Sequence, residues 1–144
     1  MTDLTAKAIE VFRDDIFASK LTGITIDHVD ESSTRCSLEV NPQHRNAKGA
    51  VMGGVLFTLA DFAFAIAANT PDLLMNIDND NVPLSWVSSS ANINFLSATK
   101  GDRLIAITQI IKRGVRQTVI QTTISDNLGN TVALVISTGI NIHN

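Results

Sequence analysis

A single cysteine, no tyrosine, one tryptophan and three prolines occur among the 144 residues, and each scarcity excludes something. The lone thiol, Cys36, cannot close an intramolecular disulfide; its alternating, strand-like surroundings suit a small buried hydrophobe rather than a nucleophile, and the reducing cytoplasm fits such usage. Basic residues number 11 against 14 acidic ones, for a net charge of -3, and no run of Lys or Arg occurs. A surface built for nucleic acid phosphates is therefore not expected. His28, His44 and His143 lie in separate segments without ligand spacing, so no metal is expected, and no G-x-S-x-G elbow is present. The N-terminal MTDLTAKAIEVFRDDIF scatters charges through an amphipathic pattern, without the apolar core or cleavage site of a secretory signal, so no export is expected.

What the chain has in quantity is apolar side chains, 44% of the total, enough at this length for one domain over residues 1–144. They concentrate in residues 49–71, GAVMGGVLFTLADFAFAIAANTP, a helical stretch whose one ionisable side chain is Asp61. A charge taken out of water costs several kcal/mol unless something compensates, so this carboxylate is the leading candidate for chemistry. Three other readings stay open: a basic partner in the core, a water-filled groove, or the cap of a broken helix. A membrane span fails on the paired glycines, the central acid and the alternating segments downstream.

Around this stretch the periodicities predict a short helix over residues 4–18, with Ala8, Val11, Phe12 and Ile16 near one face. A hairpin follows, with strands at 24–29 and 34–40 about a turn at 30–33. The central helix is expected from Gly53 to Asn69, ended by Thr70-Pro71, with a loop over 72–81. Four further strands, at 86–95, 103–112, 117–125 and 131–142, are joined by short turns and should pair consecutively as a meander. The expected class is α+β, a long helix wrapped by a curved antiparallel sheet of five to six strands.

At this point the residues match a known pattern. Asn46-x-x-Gly49-x-x-Met52-Gly53-Gly54-x-x-x-x-Leu59-x-Asp61 resembles the N-x-x-G-x-x-H-G-G-x-x-x-x-L-x-D signature of hotdog-fold acyl-CoA thioesterases of the phenylacetate-degradation (PaaI-like) type. Ile93-Asn94-Phe95-Leu96-Ser97-Ala98, followed by Gly101-Asp102, is similar to that family's second landmark. The family's His before the glycines is replaced by Met52, which implies lowered activity or a changed substrate rather than abolished chemistry. The resemblance implies an acyl-CoA substrate, no cofactor, and a homodimer of edge-to-edge sheets that pairs into a dimer of dimers.

Thioester attack makes an oxyanion, and two glycines opening a helix offer backbone amides to it without a side chain in the way. The resemblance favours the Gly54 amide as principal donor, with Gly53 shaping the loop; close helix packing is the alternative role of both. Asp61 serves as general base on water or as nucleophile, the two being open. It follows Gly54 by seven residues, roughly 10 Å along a helix rising ~1.5 Å per residue. One carbonyl cannot touch both, so the hypothesis requires the two groups to come from different subunits.

Asn46 can position water or the carbonyl, or simply close a turn. The family's hydroxyl beside the site aligns with Ser88; alternation puts Ser90 on the same face and Ser89 on the other. Met52 and Phe57 border the expected substrate, with Phe62 and Phe64 either lining an acyl pocket or packing the core. Lys112, Arg113 and Arg116 around one turn suit coenzyme A phosphates, or form a solvated charged turn. Besides a thioesterase for small to medium acyl or aryl groups, two readings compete: a hotdog domain that binds acyl groups or a partner without turnover, and a hydratase or dehydratase, which in this fold pairs a carboxylate with a His that no residue flanking the glycines supplies.

Overall fold

The computed structural model describes residues 1–143. Thr2 opens α1 (Asp3–Phe12) by accepting the Thr5 amide on its hydroxyl, and the helix turns Leu4, Ala8 and Phe12 inward at four-residue intervals. It stops six residues short of the expected end. Bonds of 3.5 and 3.0 Å from the Asp14 and Asp15 amides back three residues to the Val11 and Phe12 carbonyls close it, and Ile16 lies exposed instead of on the buried face. A π-helical turn, Phe17–Thr22, follows and ends at Gly23 with φ of +88°.

The hairpin forms as expected between β1 (Thr25–Val29) and β2 (Thr34–Glu39). Asp30 holds its turn by accepting the Ser32 and Ser33 amides on one carboxylate oxygen. Cys36 is fully buried on β2, and burial pushes its thiol far above the ordinary value, as befits a packing residue.

The central helix α2 spans Gly53–Ala68. Thr70-Pro71 does more than end it: Pro71 occupies the first turn of α3 (Thr70–Met75), where a missing amide hydrogen costs nothing, so the expected loop begins as a helix. Buried Asn69 stitches α2 to the next strand, its side-chain amide bonding both the amide and the carbonyl of Trp86. No helix among the described residues is long and apolar enough to cross a membrane.

The remaining strands are β3 (Trp86–Phe95), β4 (Arg103–Arg113), β5 (Gln117–Asp126) and β6 (Thr131–Asn141). They complete one antiparallel sheet of order β1-β2-β4-β5-β6-β3. The meander therefore holds only for β4, β5 and β6. Strand β2 already occupies the outer edge of β4, so β3 crosses to the free edge of β6, in a register running from Trp86–Asn141 to Phe95–Ala133. α2 packs across β2 to β6, with Leu59, Ala60, Ala63 and Ile66 completely buried. Phe62 and Phe64 are core residues, Phe62 edge-on to Phe12 at 6.0 Å between ring centroids.

Candidate active site

Gly49, with φ of +80°, turns the chain into a conformation that favours glycine, just ahead of α2. Asn46 fixes this loop: its carbonyl Oδ1 accepts the amides of Lys48 and Ala50, so the acceptor it offers is spent on the turn itself. His44, buried two residues earlier, ties the loop down. Its Nδ1 accepts the Asn41 amide at 2.9 Å, its Nε2 donates to the Thr22 carbonyl at 2.7 Å, and its own carbonyl accepts the Met52 amide at 2.9 Å. With Nδ1 accepting from a backbone amide and Nε2 facing a carbonyl, the hydrogen-bonded tautomer carries its proton on Nε2.

The helix that this loop delivers starts with Gly53 and Gly54, whose amides have no acceptor among the described residues, as the first turn of a helix dictates. Gly54 is exposed, with the Met52 methyl beside it at 3.4 Å from where a Cβ would stand. Gly53 is required for a different reason: a Cβ there would come within 3.0 Å of the Phe95 ring, which β3 lays over the helix end.

Most of α2 is buried, and the exposed residues, Gly54, Phe57 and Asp61, share one stripe. Gly54 and Asp61, seven residues apart, fall within roughly 20° of each other in helical projection. Of the three other readings for Asp61, two are not met: no basic side chain among the described residues pairs with it, and it lies mid-helix rather than at a break, with its carboxylate facing outward. Surrounding protein lifts its carboxyl above the ordinary range, although over a third of the residue is accessible in the single chain, and the charge of Asp15 lifts it further.

Ser88, Ser89 and Ser90 are all exposed on β3, but a bulge between Ser88 and Ser90 breaks the simple alternation expected there. Ser89 is the inserted residue, and its hydroxyl donates to the Thr138 carbonyl. Arg113 lies at the far end of α2, where its guanidinium donates to the carbonyls of Ala67 and Ala68. Lys112 and Arg116 line an open cavity of about 580 Å³ near that end. Phe57 is partly exposed, unlike Phe62 and Phe64.

Two cavities flank the glycines. One, of about 390 Å³, is bounded by Gly53, Leu56, Phe95, Leu96 and Thr99. The other, of about 460 Å³, is bounded by Phe17, Leu21, His44, Met52, Gly54 and Thr58. Phe17, Leu21, His44, Phe95 and Asp15 were absent from the sequence-derived candidates. Phe95 stood in the second landmark without a role assigned to it, and the apolar pair Phe17 and Leu21 in FASKLTG was the other local signal.

Residues 48–133 match the model of the thioesterase superfamily. The acyl-coenzyme A thioesterase PaaI of Escherichia coli strain K12 is 33% identical over 117 residues, 81% of this chain and 76% of that protein. The solved structure of the E. coli PaaI protein from the phenylacetic acid degradation operon superposes with a TM-score of 0.81 at 30% identity, covering 96% of each chain. A hypothetical thioesterase solved with coenzyme A, from Streptococcus pneumoniae TIGR4, has a TM-score of 0.76 at 21% identity over 90% of this chain and 95% of that one, a likeness of fold. The architecture is the hotdog fold.

Proposed function

This chain belongs to the thioesterase superfamily, and from that membership we propose that it is an acyl-CoA thioesterase, releasing free acid and coenzyme A at composite sites of a homodimer. The observation that carries the reading is the exposed stripe of α2, on which a free helix-start amide at Gly54 and an outward carboxylate at Asp61 lie with Phe57 on one face of a mostly buried helix.

The thioester carbonyl oxygen rests on the Gly54 amide, at the positive end of the helix dipole, where negative charge develops on attack. Asp61 of the second subunit takes a proton from water as the water oxygen bonds the carbonyl carbon, or attacks that carbon itself. On the first route collapse breaks the C–S bond and that proton goes to the departing thiolate. On the second the C–S bond breaks to leave an acyl–Asp61 anhydride and a thiolate, and water then splits the anhydride into the free acid and the Asp61 carboxyl, whose proton goes to the thiolate. Met52, Gly53, Phe57 and the β3 hydroxyls Ser88 and Ser90 border the substrate. Asn46 acts by holding the loop. Lys112 and Arg116 are exposed and available to coenzyme A phosphates, whereas the Arg113 guanidinium is committed to α2.

Two features support assembly. Within one chain Gly54 and Asp61 are separated by roughly 10 Å of helix, too far for one carbonyl. Strand β3 is bonded on one side only, and most of its residues are exposed, Phe95 to 56%. Such an edge is a template for a second copy, and dimers of this kind pair further into tetramers. The free thiol of Cys36 suits a cytoplasmic setting.

Subunit complementation tests this reading. Pro is tolerated in a first helical turn, so Gly54→Pro removes the amide hydrogen while keeping the helix. Gly54→Pro and Asp61→Asn are each expected to be inactive in thiol release from acyl-CoA, yet their 1:1 mixture, unfolded and refolded together, recovers about a quarter of wild-type turnover, because half the dimers hold one intact site. No recovery sinks the composite site. No turnover by the wild-type protein on any acyl-CoA sinks the enzyme and leaves a binding domain, for which Met52 in place of the family His is the motivating residue.

A further inference from the structure

The cavity of about 460 Å³ before Gly54 has a volume in the range that small-ligand pockets occupy, roughly 300–1,000 Å³. One side is the π-helical turn. Ala18 and Thr22 face inward and are buried, while Phe17 and Leu21, at four-residue spacing, are 61% and 66% exposed and border the cavity. Met52, itself 53% exposed, extends the same apolar surface to the Gly54 amide. Large side chains held outward beside an unpaired amide form a surface awaiting an apolar occupant that also carries an acceptor.

The polar groups of the lining restrict that occupant. His44 has both ring nitrogens engaged, and the Thr58 hydroxyl donates to the Gly54 carbonyl at 2.8 Å. No Lys or Arg borders the cavity. An acyl group ending in a carboxylate would leave water with no cationic partner there, Gln43 offering only a neutral amide.

We infer that the turn Phe17–Thr22 is the acyl-selecting wall, with Phe17 and Leu21 gripping an uncharged apolar acyl group, aromatic or medium-chain, of the thioester whose carbonyl sits at Gly54. The inference rests on the role given to Gly54 above. It names as specificity determinants two residues in a segment outside the thioesterase pattern, which begins at residue 48.

Steady-state kinetics on acetyl-, hexanoyl-, benzoyl- and succinyl-CoA, together with calorimetric binding of the non-hydrolysable thioether S-hexyl-CoA, test it. The wild-type protein should prefer hexanoyl and benzoyl to succinyl. Phe17→Ala and Leu21→Ala should each raise KM for hexanoyl- and benzoyl-CoA roughly 10-fold with kcat little changed, the loss being smallest for acetyl-CoA, and weaken S-hexyl-CoA in parallel. Leu21→Arg should narrow the gap between succinyl and hexanoyl. Unchanged S-hexyl-CoA binding in both alanine variants overturns the wall. So does an equal loss on all substrates with a changed assembly by light scattering, which would mean that the pair packs against a second copy. If the wild type hydrolyses nothing, the thioesterase reading falls by itself, while weakened S-hexyl-CoA binding in the variants still upholds the wall.

Discussion

The Nε2 of His44 lies 2.7 Å from the carbonyl oxygen of Thr22, so one buried ring joins the loop that delivers Gly53 and Gly54 to the turn that carries Phe17 and Leu21. Both sides of the larger cavity near Gly54 are thus referenced to a single side chain, and the Met52 amide is fixed by the same residue's carbonyl.

His44→Phe fills the space and removes both ring bonds, leaving the Thr22 carbonyl and the Asn41 amide unpaired. A loss of about 1–3 kcal/mol is expected, read as a lower urea midpoint. Turnover should fall at temperatures where the variant remains folded, because the amides of Gly53 and Gly54 lose their fixed aim. A variant as stable as the wild type would show that the ring is dispensable.

Asp61→Asn should abolish at least about 10²-fold of kcat, as expected when a proton acceptor or nucleophile is lost. It should cost no stability. Asp61 ionises at higher pH folded than unfolded, so its contribution falls as pH rises from the ordinary carboxylate range through its raised value, and its cost is fully present above that value. The variant should melt at or above the wild-type temperature at pH 7 to 8, with the gap closing near about pH 4. Lower melting at neutral pH would point to a structural partner for the carboxylate.

Asp15→Asn removes the charge that helps to raise the Asp61 carboxyl. Since the chemistry needs Asp61 ionised, activity rises with pH through its titration. The acid limb of log kcat/KM should therefore move to lower pH in the variant, with the neutral plateau in place. An unmoved limb would assign it to another group.

Much of this was readable in the chain because the responsible forces are local. The apolar run with Gly53-Gly54 at its head gave the start of α2, and Trp86–Phe95 emerged with the bounds that its alternation predicts. What escaped depends on distant partners. Nothing in β3 says that β2 will occupy β4 first, so the crossing to β6 could not be read from short turns. His44 was weighed only as a metal ligand, because its two partners, Asn41 and Thr22, become visible only when the loop folds. Phe17 was read as part of a helix that in fact ends at Phe12. Arg113 drew attention through its basic neighbours, while the carbonyls it meets lie 45 and 46 residues away.

Arg113→Met tests that last point. The substitution keeps much of the aliphatic stem and strips two donors from the last turn of α2, for an expected loss of about 1–2 kcal/mol in urea unfolding. Arg116→Ala, on an exposed position, should leave stability nearly unchanged while raising KM for coenzyme A thioesters. Equal stability of the two variants would mean that the capping bonds contribute little.

Strand β3 also sets the order of events in folding. The hairpins β4–β5 and β5–β6 close loops of a few residues, whereas pairing β3 with β6 joins Phe95 to Ala133 and Trp86 to Asn141, across all the intervening chain. Loop-closure entropy makes that pairing late. The strand that lays Phe95 over Gly53 is then placed after those hairpins in its own protomer, and its free edge is a surface offered to another. In the proposed dimer, maturation of the helix end and recognition of a second copy become one step, so newly made chains would gain activity at a rate that depends on their concentration.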